Sequence, residues 1–166
     1  MLEDLTLHKA LAMAVETEKQ GAEYYMKLAK KFADNKEVAE VFTQLAKDEK
    51  LHEEQFRQML KKVPEEPDTK EFTDKHKFLY AARLSEFFDT STYKNIDDIQ
   101  EPSDALMKAL DFEKATLLYY QAISDIVGDS KEMNGLIQAE KQHAIALTKV
   151  LIADAKFRGM NDKWLI

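Results

Sequence analysis

Two short motifs of the same form contain residues that can bind a metal ion. Glu49 precedes His52 by three positions, and Glu140 precedes His143 by three positions. On an α-helix, residues three apart lie about 60° apart around the axis, so both side chains of a motif project to one side. A carboxylate and an imidazole placed in this way can share one ion. Each motif therefore predicts one metal-binding face.

Two further glutamates are predicted to lie in the core of the protein. Glu18 and Glu113 each occur within an apolar pattern of helical spacing, and Tyr25 and Tyr120 follow them by seven residues, about 20° off the same line. A lone charged carboxylate among core side chains is costly unless it is paired or bound to a metal. These positions favour two more metal ligands.

The two halves of the chain repeat each other around these residues. Residues 14–25 align with 109–120, and residues 45–52 align with 136–143. The identical ionisable pairs are Glu18 and Glu113, Lys19 and Lys114, Glu49 and Glu140, Lys50 and Lys141, and His52 and His143. In each half the Glu-x-x-His motif follows the core glutamate by 31 or 27 residues. That is the separation needed to descend one helix, turn, and return to the same level of the next.

The predicted ligands amount to four carboxylates and two imidazoles, whose negative charge would neutralise two divalent ions. Hard oxygen with borderline nitrogen favours iron or manganese, tolerates zinc, and disfavours thiophilic metals. One Glu from each of two helices and a Glu-x-x-His from each of the other two is the ligand arrangement of the di-iron and di-manganese carboxylate bundles.

The elements that must position these residues are predicted to be long helices. Gly and Pro together account for only 7 of 166 residues, which leaves few turns for a β-rich fold. Apolar spacing predicts a helix pair over 4–62 and another over 102–157, separated by a crossover at 63–101 that is too long for a simple loop and contains a short helix of its own. We expect a single all-α domain over 1–166, an antiparallel four-helix bundle with one long crossover.

Composition excludes several classes of protein and site. The chain has no cysteine, so disulfide scaffolds, cysteine zinc fingers and thiolate-held iron–sulfur clusters are impossible. Thirty-one acidic residues against 24 basic ones give a net charge of −7, which argues against nucleic acid or an anionic membrane as the partner. The sequence shows no signal peptide and no apolar run of membrane-spanning length, and we expect a cytoplasmic location.

With these motifs in a four-helix pattern, the chain resembles the rubrerythrin family of ferritin-like proteins, and most closely its stand-alone di-iron domain. The resemblance implies a ferritin-like bundle holding two iron ions. It implies bridging or near-bridging positions for Glu49 and Glu140, and terminal positions for Glu18 and Glu113.

The same resemblance implies roles for the remaining candidates. His52 and His143 would supply one imidazole to each iron, and Tyr25 and Tyr120 would hydrogen-bond to the carboxylates. The activity implied is that of a non-haem di-iron oxidoreductase that reduces hydrogen peroxide or dioxygen.

The chain departs from the family in two respects. Rubrerythrin proper carries a rubredoxin-type iron held by four cysteines, so electrons here are expected from a separate donor such as a rubredoxin-like protein. Peroxidase members of the family also have an extra Glu three residues after the first carboxylate of the third helix. This position is Thr116 here, which argues against rapid peroxide turnover. We further expect a homodimer.

Two other functions agree with the same residues. One is non-catalytic iron or metal binding, in which a ferritin-like protein buffers metal without turnover. The other is a helical interaction module whose metal site is vestigial.

Overall fold

The computed structural model describes residues 6–65, 73–82 and 96–157. Within these ranges the chain forms helices and no β-strand. The elements are α1 (Leu7–Lys31), α2 (Lys36–Leu60), α3 (Asp74–Ala82), a 3-10 turn (Ile96–Asp98), α4 (Pro102–Val127) and α5 (Lys131–Phe157). The predicted all-α bundle is confirmed. The predicted helix start at residue 4 and the parts of the crossover at 66–72 and 83–95 lie outside the described residues.

The ends of the long helices are set by local residues. The Thr6 hydroxyl accepts a hydrogen bond from the backbone N–H of Lys9 at 3.2 Å, and the Asn35 side chain accepts one from Val38 at 3.2 Å. These caps satisfy N–H groups that have no partner within the first helical turn. Helix α4 ends at Val127 and is followed by Gly128, whose φ is 83°. Residues other than glycine rarely adopt this backbone conformation.

The four long helices form a ring in which neighbours run in opposite directions. Helices α1 and α2 pack as one hairpin and α4 and α5 as another, while α1 also packs against α4 and α2 against α5. The Tyr119 hydroxyl donates to the carbonyl of Ala10 at 2.9 Å, and Tyr25 contacts Glu113. Position along α1 therefore rises as position along α4 falls, which makes this pair antiparallel as well.

The described parts of the crossover contact α4 near its start and α1 near its end. Because α2 and α4 lie diagonally and run parallel, the chain must travel the length of the bundle to connect them. Near the start of the crossover, the Lys75 ammonium donates to the carbonyl of Asp125 at 2.6 Å, and α3 packs against α4. Near its end, the Lys31 ammonium donates to the carbonyl of Ile96 at 2.8 Å.

The core consists of two apolar clusters, one towards each end of the bundle. The first contains Leu11, Phe56, Leu79, Tyr119, Ile123 and Leu136 among its largest members. The second contains Leu28, Phe42, Leu45, Leu106, Phe112 and Leu147. On every long helix the segment between the clusters carries a buried Glu, and on α2 and α5 also a buried His. The fold thus encloses a polar layer between two apolar ones.

None of the helices in the described ranges has an apolar stretch of the length and hydropathy needed to cross a bilayer.

Candidate metal centre

The structure brings all six predicted ligands together in the polar layer. The carboxylates of Glu18, Glu49, Glu113 and Glu140 and the imidazoles of His52 and His143 come from α1, α2, α4 and α5, and none of these residues is more than 6% exposed. Their helical phase places them inside because each lies on the same stripe as the apolar residues of the two clusters.

The six residues form three overlapping groups of possible ligands, one of three residues (Glu49, His52 and His143) and two of four residues, which we call the donor sets. The first donor set is Glu18, Glu49, His52 and Glu140, and the second donor set is Glu49, Glu113, Glu140 and His143. Within each set, one donor atom per residue lies within 4.8 Å of the others. Glu49 and Glu140 belong to both sets, so each can offer one oxygen to each of two neighbouring ions.

In the first donor set the carboxylates surround Nδ1 of His52. This atom lies 3.0 Å from Glu140 Oε1, 3.7 Å from Glu18 Oε2 and 3.7 Å from Glu49 Oε2. The contacts come from α1, α2 and α5. The imidazole therefore faces the centre of the bundle with Nδ1 as its inward atom.

The second donor set repeats this arrangement around His143. Its Nδ1 lies 3.2 Å from Glu113 Oε2, 3.5 Å from Glu49 Oε1 and 3.7 Å from Glu140 Oε2. The two imidazole rings stack with centroids 5.3 Å apart. The repeat in the sequence is therefore matched in space, because each imidazole has one carboxylate from its own motif, one core glutamate and one glutamate of the other motif around its Nδ1.

The two predicted tyrosines contact the carboxylates across the halves of the chain. The Tyr25 hydroxyl donates to Glu113 Oε1, and the Tyr120 hydroxyl donates to Glu18 Oε1. Both rings are fully buried. Each tyrosine therefore fixes the carboxylate of the opposite half and leaves that carboxylate's Oε2 facing an imidazole.

A pair of cations fits the polar atoms left over in this layer. Glu18 Oε2, Glu49 Oε1, His52 Nδ1 and Glu140 Oε1 are buried and make no hydrogen bond. Buried polar atoms without a partner are costly and uncommon in folded proteins. All four face the interior of the two donor sets, and a bound cation would satisfy them. Oxygen and imidazole nitrogen are ligands suited to first-row divalent metals.

The electrostatics of the layer favour proton retention when no cation is bound. Burial and the neighbouring carboxylates raise the pKa of Glu49 well above its ordinary value, and raise the pKa of Glu113 to about 8. Burial alone would lower the pKa values of the imidazoles, but the carboxylates that face them outweigh it and raise the pKa of His52 to about 9 and that of His143 to about 11. The pKa of Glu140 is lowered against the effect of burial, because both imidazoles lie close to its carboxylate.

Two polar side chains next to the ligands add contacts that the motifs do not indicate. The Thr116 hydroxyl lies within hydrogen-bond distance of two acceptors, the Glu113 carbonyl oxygen at 2.9 Å and Glu140 Oε2 at 3.0 Å. Asp48 Oδ2 lies 3.5 Å from Nε2 of His143. Thr116 stands out in the sequence only as a departure from the resembled family. The motifs did not indicate Asp48, because its contact with His143 joins two different helices.

The comparison with known protein families gives one result for this chain. The family model described as Rubrerythrin matches residues 9–151. No curated protein and no solved structure matches at the significance required.

Proposed function

The chain belongs to the rubrerythrin family, and on that premise we propose that it is a non-haem di-iron oxidoreductase that reduces hydrogen peroxide or dioxygen inside the bundle. The observation that carries the proposal is the pair of donor sets that share Glu49 and Glu140. A single ion would use only one set. Two sets joined by two carboxylates are what a two-ion centre requires.

Charge balance supports two divalent ions. The carboxylates of the two sets carry four negative charges when ionised, and two 2+ ions neutralise them, which changes the net charge of the chain from −7 to −3. Iron is the metal proposed, and manganese or zinc would fit the same oxygen and nitrogen ligands. The metal-binding residues are Glu18, Glu49, His52, Glu113, Glu140 and His143.

The residues of the chain prepare the layer for this chemistry. When bound, two ferrous ions supply one electron each, and these two electrons with two protons convert one hydrogen peroxide into two waters. Tyr25 and Tyr120 hold the terminal carboxylates in place through their hydroxyls. The apolar clusters above and below the layer keep bulk water away from it.

The electrons that restore the ferrous state must come from outside these 166 residues. No cysteine is present to hold a rubredoxin-type iron. We therefore propose a separate electron donor, for which a rubredoxin-like protein is the natural candidate.

The test is anaerobic loading with Fe(II) followed by rapid mixing with hydrogen peroxide in a stopped-flow spectrometer. A ferric absorption band that forms within the mixing experiment is expected for the unmodified protein. Glu18→Ala should lose much of the band, because it removes a ligand of the first donor set. Glu16→Ala is the matched control, since Glu16 is an exposed acid on the same helix that contacts Gln20. Absence of the band in the unmodified protein would contradict the proposal.

A second function, metal binding without turnover, is favoured by one contact. The Thr116 hydroxyl holds Glu140 at the place where peroxidase members of the family have an additional Glu. A fixed carboxylate favours retention of bound metal over rearrangement between redox states. Single-turnover oxidation of stoichiometric iron, with no further peroxide consumed when reductant is added, would favour this function over catalysis.

A further inference from the structure

The two donor sets are related by the internal repeat, and several of their contacts are the same. Each imidazole Nδ1 lies 3.7 Å from Oε2 of the glutamate in its own motif. Each tyrosine hydroxyl donates to Oε1 of the opposite terminal glutamate. The remaining inner contacts differ, because Nδ1 of His52 lies closest to Glu140, at 3.0 Å, and Nδ1 of His143 lies closest to Glu113, at 3.2 Å. Residues just outside the sets add two further differences.

The first difference concerns the outer nitrogen of the imidazoles. Asp48 Oδ2 lies 3.5 Å from Nε2 of His143, while Asp48 Oδ1 accepts a hydrogen bond from the Gln44 amide at 2.9 Å. In the repeat, Asp48 corresponds to Ala139, which has no polar atom in its side chain. Within the described part of the chain, the acid contacts of His52 are all made through Nδ1. Among the residues that the structure describes, only the second donor set has a carboxylate next to the outer nitrogen of its imidazole.

The second difference concerns the shared glutamates. The Thr116 hydroxyl, which also lies 2.9 Å from the Glu113 carbonyl oxygen, is within hydrogen-bond distance of Glu140 Oε2, the oxygen that faces His143. Thr116 corresponds in the repeat to Gly21. A Cβ atom at Gly21 would lie 3.6 Å from Cγ of Glu49, so residue 21 faces the matching glutamate but has no hydroxyl to offer. The hydroxyl contact again falls on the second donor set.

We propose that the two metal positions are unequal, and that the second donor set binds its ion more tightly because Asp48 and Thr116 orient its imidazole and its shared carboxylate. This inference rests on the metal-binding part of the proposed function and not on its redox chemistry. Asp48 is a positioning residue that acts through His143.

The physical reason is pre-organisation of the ligands. An acceptor at the outer nitrogen fixes the tautomer and the ring orientation of a ligating imidazole and increases its basicity, and removing such partners typically costs about 10–100-fold in metal affinity. For His52, the acids of the described residues contact only Nδ1, so no carboxylate among them supports the outer nitrogen. The ion bound at the first donor set should therefore dissociate more readily than the ion at the second.

A groove at the protein surface reaches the second donor set. A groove of about 280 Å³ between α2 and α5 is lined by Asp48, His143 and Gln142. The Asp48 side chain is 29% exposed, so it links the groove to the imidazole. An incoming ion can reach the second set by this route.

The experiment is an anaerobic titration of the metal-free full chain with Co(II), followed by calorimetry and by the visible absorption of the bound ion. The unmodified protein is expected to bind two ions in two steps whose dissociation constants differ by about tenfold or more. His143→Ala should remove the tighter step, and His52→Ala should remove the weaker one, which assigns the steps to positions.

The decisive variants act outside the ligands. Asp48→Ala should weaken the tighter step by about 10–100-fold and leave the weaker step unchanged. Asp48→Asn keeps an acceptor oxygen and should retain most of the affinity, which a loss of folding could not explain. Thr116→Val should weaken the same step. Glu54→Ala, which removes an exposed acid from α2, is the charge-matched control.

The outcomes separate this inference from the proposed function. Two Co(II) ions bound with equal affinity, or a tighter step unaffected by Asp48→Ala, would overturn the inference and leave the two-metal centre standing. No binding of Co(II) to the unmodified protein would overturn both.

Discussion

The Tyr25 hydroxyl, from the first half of the chain, donates a hydrogen bond to the Glu113 carboxylate in the second half. Both residues are completely buried. Tyr120 and Glu18 form the reciprocal pair. Each half of the repeat thus holds the terminal carboxylate of the other, so that the arrangement of both donor sets depends on correct pairing of α1 with α4.

Replacing Tyr25 by Phe is expected to weaken metal binding and the fold together. The substitution leaves Glu113 Oε1 buried without its donor, which should lower the free energy of unfolding of the metal-free protein by about 1–3 kcal/mol. Metal affinity should fall as well, because the carboxylate loses the contact that orients it. Chemical denaturation and Co(II) titration measure the two effects.

Tyr119→Phe is the matched control for this prediction. Tyr119 is also buried, but it donates to the backbone carbonyl of Ala10, outside the donor sets. Its loss should destabilise the fold and leave Co(II) affinity unchanged. Equal losses of affinity in Tyr25→Phe and Tyr119→Phe would show that the effect of Tyr25 is merely structural.

Replacing a glutamate that belongs to both donor sets should lower the metal content more than replacing a glutamate that belongs to one set. Glu49 belongs to both donor sets, whereas Glu18 belongs only to the first. Glu49→Ala is therefore expected to reduce the metal content of loaded protein from two ions to less than one, and Glu18→Ala to reduce it to about one. Elemental analysis after gel filtration measures the content, and Glu16→Ala should retain both ions. Equal losses in the two ligand variants would contradict the sharing.

Metal binding should raise the stability of the folded chain. The metal-free protein contains buried donor atoms without partners and mutually repelling carboxylates. An ion that binds only the native state stabilises it by mass action, by about 2.7 kcal/mol at a free concentration one hundred times the dissociation constant. Thermal melts with and without saturating Zn(II) measure the shift in Tm, which Glu49→Ala should abolish. Identical Tm values for the unmodified protein would count against the whole centre.

The stability of the metal-free protein should fall as the pH rises from about 6.5 to 9. His52 binds its proton more tightly in the folded chain, with a pKa of about 9 against an ordinary 6.5, so its contribution is complete below pH 6.5 and is lost as the pH passes 9. Glu113, with its pKa raised from 4.5 to about 8, loses its contribution in the same direction. The pKa of Glu140 is lowered, so its protonation changes the stability only below pH 4.5, outside the range considered.

Metal affinity should show the opposite dependence on pH. The imidazoles and carboxylates must release their protons before they can bind an ion, so Zn(II) or Co(II) should bind more tightly at pH 8 than at pH 6.5. Urea denaturation in the presence of a chelator measures how the stability of the metal-free protein depends on pH. Metal titration at several pH values measures how the metal affinity depends on pH. A metal-free stability that is flat or rises between pH 6.5 and 9 would contradict the proton retention described for the polar layer.

Much of the fold followed from local patterns. The spacing of apolar residues predicts long helices. Asn35 caps the start of α2, and Gly128 follows the end of α4. Helical periodicity also places Glu18 and Glu113 on buried stripes, because a residue's phase on its own helix depends only on its sequence neighbours. The repeat placed the six candidate ligands at matching levels, and the structure brings them into one layer.

The contacts between helices were beyond the reach of those patterns. Periodicity says that Tyr25 faces inward, but not that its hydroxyl meets Glu113 on α4 instead of Glu18 on its own helix. Nor does it reveal that Asp48 lies behind His143, because that contact joins α2 to α5.

The sequence by itself therefore determined which residues are buried at one level of an all-α bundle and which metal-binding chemistry they support. The tertiary structure decided which partner each polar side chain meets, and hence that Asp48 and Thr116 support one donor set only. The physical reason is that helical phase is fixed by spacing along one segment, while register and rotation between helices are fixed by the packing of all four.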